Sequence, residues 1–253
     1  IALEPGEKFT MKDALYALAL VSANDAAVAI AETVSGSVED FAKLMNEEAE
    51  KLGAHNSHFV NPNGMPNQDH YTTARDMALI TAEALKQEGF LTYFGAKSYE
   101  MPATNLSAAR PLVSKNQFID GTFDCPGLLM SKTGWTSSAL GTLVTAVRRG
   151  DTTLIAVTLK SPMLEDKYTD TLALLDYGFA NYRRVRLSQK LMERKMVAQG
   201  MDEDCSLEGY TPQDVLIPQT AGEADIAVTV PGGFDSSLGV STVPASVDVK
   251  QED

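Results

Sequence analysis

Three pairs between Thr10 and Asp76 set a hydroxyl residue three positions ahead of an aspartate at the head of an apolar helical pattern: Thr10/Asp13, Ser37/Asp40 and Thr73/Asp76. With that spacing the hydroxyl can accept a first-turn N–H while the carboxylate reaches back to the cap, so each pair predicts a helix start. An apolar helical pattern follows each start. It runs through Leu15, Leu18 and Val21, through Phe41, Leu44 and Met45 to a stop near Gly53, and through Met77, Ile80 and Leu85 to a stop at Gly89. Ser22-Ala23-Asn24-Asp25 is a polar break before an Ala-rich helix from Ala26 to Val34, and His55 to Gln68, rich in Asn, Pro and Gly, reads as a loop. The first part of the chain is therefore expected to be a helical subdomain.

Beyond Gly89 the pattern changes. Leu128 to Trp135 is a short apolar run, and Thr142 to Val147 and Leu154 to Leu159 are β-rich segments separated by a hairpin-like turn at Arg148-Arg149-Gly150-Asp151. Thr169 to Tyr182 reads as a helix able to cover them, which gives an α+β architecture with an antiparallel sheet. A boundary is expected near Tyr182. The remainder, with strands at Val185 to Val197, Val215 to Ile217 and Ile226 to Val230, is expected to be a small β-rich domain.

A formal net charge of −13 argues against a nucleic-acid surface and against a basic membrane-binding patch, while leaving room for a local positive cleft. Cys125 and Cys205 are far apart and are not expected to form a bridge. His55, His58 and His70 are not spaced for a metal and read as structural, and no cofactor motif is present.

Three short motifs could carry chemistry. Lys132-Thr133-Gly134 on a strand combines a charge, a hydroxyl and a residue without a side chain, the parts needed to hold a carboxylate. Strand alternation sends Lys132 and Thr133 to opposite faces, so sharing one ligand requires an edge strand or a local twist. Ser22-Ala23-Asn24 lies at a helix junction, where Ser and Asn ordinarily serve as caps. Asn61-Pro62-Asn63-Gly64 is by itself a turn.

Together and in this order, Ser-x-Asn at a break between helices and Lys-Thr-Gly on a later strand resemble part of the penicilloyl-serine transferase signature. Val21 to Ala29, His58 to Gly64, Tyr71 to Ala78, and Lys132-Thr133-Gly134-Trp135-Thr136 followed by Leu154 to Val157 closely resemble the serine D-alanyl-D-alanine carboxypeptidases, over Leu3 to Tyr182. The resemblance implies a β-lactamase/transpeptidase-like catalytic domain over 1–182 with a small β domain over 183–253. It also implies removal of the terminal D-Ala from peptidoglycan stem peptides through an acyl-enzyme, without a cofactor or metal, and acylation by β-lactam antibiotics. Ser22 would relay a proton to the departing amine. Asn24 would hydrogen-bond the substrate peptide and help hold the catalytic lysine, and Lys132 would supply positive potential beside Ser22. Thr133 would grip the terminal carboxylate, with Gly134 beside it, and the backbone N–H of Trp135 would form half of an oxyanion hole. Lys115 and Lys167 align loosely with further carboxylate-binding basic residues; the plain reading of each is an exposed surface lysine. The implied location is the cell envelope, outside the cytoplasmic membrane, with peripheral membrane association in a full-length protein.

The family's nucleophile lies in Ser-x-x-Lys, upstream of Ser-x-Asn, and no serine here has Lys at the third position after it. Ile1-Ala2-Leu3-Glu4-Pro5-Gly6 is not a signal peptide. The expectation is an N-terminal truncation, with a signal peptide and Ser-x-x-Lys encoded upstream, and no acyl-enzyme formed by this chain alone. The alternatives are a non-catalytic remnant that binds cell-wall peptides and a β-lactamase; the Asn-Pro-Asn-Gly loop and trailing β domain weigh against the latter.

Overall fold

The computed structural model describes residues 1–188, 191–192, 213–221, 226–229 and 246–249. The chain divides into two compact units, Ile1–Asp176 and Tyr177–Asp253.

The first unit opens with α1 (Met11–Val21), started by a closed capping box: the Asp13 N–H donates to Thr10 Oγ1 and the Thr10 N–H to Asp13 Oδ2. Its most buried stripe is Ala14, Ala17 and Leu20, while Leu15, Leu18 and Val21 are half-buried. The predicted stripe is displaced because a hairpin that the sequence pattern does not announce packs on this helix. That hairpin is β1 (Ser98–Met101) paired antiparallel with β2 (Arg110–Val113). Its Met101 and Leu112 form one buried cluster with Ala17, Leu20, Ala23 and Ala26. The cluster spans the end of α1 and the start of α2 (Asn24–Ser35), so the hairpin supports the turn between them from below.

Ser37 caps α3 (Val38–Lys51) and Thr73 caps α4 (Ala74–Ala84), each hydroxyl accepting the N–H predicted for it. Asp76 is buried in the first turn of α4 and accepts the Asn56 N–H and the Ser57 hydroxyl, both at 2.8 Å, which ties the intervening loop to the helix. Within that loop Asn61 accepts the Gly64 N–H at 2.8 Å and donates to the Met65 carbonyl at 2.9 Å, closing the turn. A short helix, α5 (Phe90–Phe94), precedes the hairpin.

β3 (Leu128–Thr136), β4 (Leu140–Arg149) and β5 (Thr152–Ser161) form an antiparallel sheet in that order, with β3 at an edge. Gly150, at φ +61°, and Asp151 make the two-residue turn between Arg149 and Thr152, where positive φ suits the twist of the strands. Helix α6 (Asp166–Asn181) follows, its Thr171 hydroxyl 3.5 Å from that of Thr158 on β5. Tyr168 of α6 stacks on Phe123 at 5.2 Å and meets Phe118 edge-on at 5.0 Å, which anchors the segment leading into β3.

In the second unit β6 (Tyr182–Leu187) pairs antiparallel with β7 (Gln213–Pro218), and β8 (Ile226–Thr229) with β9 (Ser246–Val249). The strand expected from Val185 to Val197 is shorter. It stops at Leu187 because Ser188 acts as a helix cap: its hydroxyl accepts the Leu191 N–H at 3.2 Å and its carbonyl the Met192 N–H at 3.0 Å. Residues 193–197 and Cys205 lie outside the described residues. Among the described residues, no helix is long and apolar enough to cross a membrane.

Candidate active site

Ser22 closes α1 in the left-handed conformation, φ +53° and ψ +46°. A β-carbon makes that region costly, and the supporting cluster under Ala23 and Ala26 holds the residue there. Its hydroxyl is thereby turned toward β3, where the Lys132 ammonium donates to it and to the Thr133 carbonyl, the latter at 2.8 Å. Ser22, Lys132, Thr133 and Lys115 line one cleft of about 220 Å³. The edge position of β3 resolves the alternation problem: Lys132 and Thr133 are neighbours on a strand, yet both border the same cleft.

Below them lies a polar network that sequence reasoning missed. Asn116 donates to Ser131 Oγ at 2.9 Å, and the Ser131 and Thr145 hydroxyls are 2.9 Å apart, all three residues buried. It ties the loop carrying Lys115 to β3 and β4 through satisfied buried hydrogen bonds. A serine immediately before Lys132 is the one available signal, and it carries no periodicity.

Burial, reinforced by the nearby Lys167 charge, pushes the Lys132 ammonium down to about 8. Among the described residues no carboxylate pairs with it. Lys167 corrects the surface-lysine reading. It is 5 % exposed, with its ammonium 5.3 Å from the Tyr168 ring centroid and its own pKa lowered by burial. Lys115 is exposed, in keeping with that reading, and is also at the cleft.

Gly134 also meets a packing constraint within the sheet. It sits opposite Thr142 on β4, and a β-carbon there would stand 2.5 Å from Thr142 Oγ1. Trp135, 62 % exposed, faces Gly141 in the strand register. Asn24 is exposed at the start of α2, with its side-chain nitrogen 3.9 Å from the Met65 sulfur; the Asn61–Gly64 turn thus reaches the site through Met65. Among the described residues no cluster of His, Cys, Asp and Glu could hold a metal ion.

The arrangement offers a serine hydroxyl joined to a partly desolvated amine, a second hydroxyl and Lys115 on the same cleft, and the Lys167 charge close enough to be felt by Lys132. Residues 1–163 match the profile of a family described as D-alanyl-D-alanine carboxypeptidase. The D-alanyl-D-alanine carboxypeptidase DacF of Bacillus subtilis is 37 % identical over 182 residues, covering 72 % of this chain and 46 % of that protein. A D-alanyl-D-alanine carboxypeptidase of Streptomyces sp. strain K15 is 32 % identical, covering 69 % and 62 %. Among solved structures, the Streptomyces K15 DD-transpeptidase superposes with TM-score 0.65 at 31 % identity, covering 71 % of each chain. The D-alanyl-D-alanine carboxypeptidase of Mycobacterium tuberculosis H37Rv superposes with TM-score 0.64 at 29 % identity, covering 71 % of this chain and 68 % of that one. The chain thus spans roughly half to three-fifths of the length of the Bacillus and Streptomyces proteins, 46 % of the first and 62 % of the second.

Proposed function

Because the chain belongs to the D-alanyl-D-alanine carboxypeptidase family, we propose that it forms the proton-relay and carboxylate-binding side of a serine D,D-carboxypeptidase site. The substrate class is a peptidoglycan stem peptide ending in D-Ala-D-Ala, processed in the cell envelope, and β-lactams would acylate the same nucleophile. Residues 1–182 are assigned the catalytic role, with 183–253 as a β-rich appendage.

The observation that carries this reading is the contact of Lys132 with Ser22 at a cleft also lined by Thr133. Ser22 would pass a proton toward the leaving amine, with Lys132 setting its acidity. Thr133, with Lys115 and Lys167 as added positive charge, would bind the terminal carboxylate. Asn24 would hold the substrate amide, and the Trp135 N–H would stabilise the oxyanion. The serine of a Ser-x-x-Lys is not among residues 1–253, so the acyl-enzyme of this mechanism does not form on this segment alone.

The test is to incubate the full gene product with a fluorescent penicillin and map the label after digestion. A stable label on a Ser-x-x-Lys serine outside residues 1–253 supports the proposal. A folded protein with no label points instead to a peptide-binding protein without catalysis, and rapid turnover of the drug to a β-lactamase.

A further inference from the structure

We propose that Ser22 is itself a nucleophile, with Lys132 as its general base, and that this pair hydrolyses small activated esters without any Ser-x-x-Lys serine. The geometry is that of a serine–lysine dyad. Lys132 Nζ is within hydrogen-bond reach of Ser22 Oγ, and a neutral amine there accepts the proton that the attacking hydroxyl must lose. Ser22 is exposed and presented by a left-handed backbone turn at the mouth of the cleft, so a carbonyl can approach it.

Charge around the pair favours the reaction. The charged groups facing Lys132 are Lys167 from α6 and Lys115 from the loop before β3. Both are cationic; burial first, and then the Lys167 charge, keep part of the Lys132 population neutral near pH 8. Ser22 also immediately precedes the N-terminus of α2, where Ala23 supplies no side-chain cap, so the helix end favours negative charge developing beside it.

The steps balance as ester plus water giving acid plus alcohol. Neutral Lys132 takes the Ser22 proton as Oγ bonds to the ester carbonyl carbon. The intermediate collapses, breaking the bond to the leaving oxygen, which takes the proton from the Lys132 ammonium. Lys132 then deprotonates a water that attacks the acyl-Ser22 ester, and the carboxylic acid departs as Ser22 recovers its proton. The cleft of about 220 Å³ suits a small acyl group such as acetyl.

The experiment treats the 253-residue chain with p-nitrophenyl acetate, and separately with a fluorophosphonate probe followed by peptide mapping. The expected results are a label on Ser22 and ester hydrolysis that rises with pH to a midpoint near 8. Ser22→Ala should abolish both. Lys132→Arg, which keeps the charge but cannot act as a base, should lower the rate about tenfold or more. Ser98→Ala, at an exposed serine on β1, should change neither. A label on another serine, or hydrolysis no faster than buffer, overturns the proposal. Site mapping in the unsubstituted chain decides the matter even where a variant does not fold.

Discussion

The Lys132 ammonium on β3 donates to the Ser22 hydroxyl at the end of α1, joining positions 110 apart in the sequence. A charged lysine in that half-buried place, with the Lys167 charge close by, is disfavoured, and its pKa falls from 10.5 to about 8. Above the unfolded value both states are neutral, and below about 8 both are charged, so the penalty is fully present at neutral pH. It is relieved as pH rises between the two, because there the unfolded chain holds the extra proton. Lys132→Met should therefore be stabilised relative to the parent at pH 7, on the order of 2 kcal/mol after allowing for partial solvation. That advantage should shrink between about pH 8 and pH 10.5. Urea midpoints of both proteins across this range provide the check; a constant difference contradicts the assignment.

Gly134 and Thr142 form a second pair that can be tested in combination. Alanine at 134 puts a β-carbon 2.5 Å from Thr142 Oγ1. The strand or the threonine must then shift, at a cost of about 1–3 kcal/mol. Thr142→Ala removes the obstructing atom, so the double variant should recover most of the loss. Thermal melts of the double-mutant cycle would measure that coupling, and simple additivity would show that the glycine serves something other than Thr142.

The helix starts were legible because a cap is a local device: Thr10, Ser37 and Thr73 need only a neighbour three positions away. The hairpin under α1 was not. Its strands are four residues each, and β2 carries Pro111, which lowers any strand reading. The same limit applies at the site. Ser22 and Lys132 could be named from motif order, but the burial of Lys167 and the Asn116–Ser131–Thr145 network arise only when distant segments meet. A lone lysine or asparagine in a sequence carries no mark of that.

Glu7 offers an acid-range prediction. Its buried carboxylate meets Arg110 through both oxygens, at 2.8 and 3.1 Å, and accepts from Thr104 at 2.7 Å. The Arg110 hydrogen bond, followed by that of Thr104, holds its pKa down at about 2. The carboxylate's stabilising contribution is present above the unfolded value near 4.5 and is lost as pH falls through about 2. Glu7→Gln should lower the denaturation midpoint at pH 7, and the difference from the parent should close progressively below pH 4.5. A gap that persists unchanged at about pH 2 would mean that packing, not charge, is what the substitution removes.

Met101 links fold stability to the site. It is fully buried beneath Ala17, Leu20, Ala23 and Ala26, the residues on either side of the Ser22 turn. Small side chains cannot close over a vacated methionine, so Met101→Ala should cost about 2–5 kcal/mol. The consequence for chemistry is separate from that loss. Ser22 holds a left-handed backbone only while the cluster below it is rigid, and the residue should relax toward an ordinary conformation when the cavity opens. In the folded variant, the proposed Ser22 labelling by a fluorophosphonate should then fall more steeply than the folded fraction. Met101→Leu, which nearly conserves volume, should restore both stability and labelling. Labelling that merely tracks the folded fraction in the alanine variant would show that the Ser22 turn is held by its own helix and not by the hairpin.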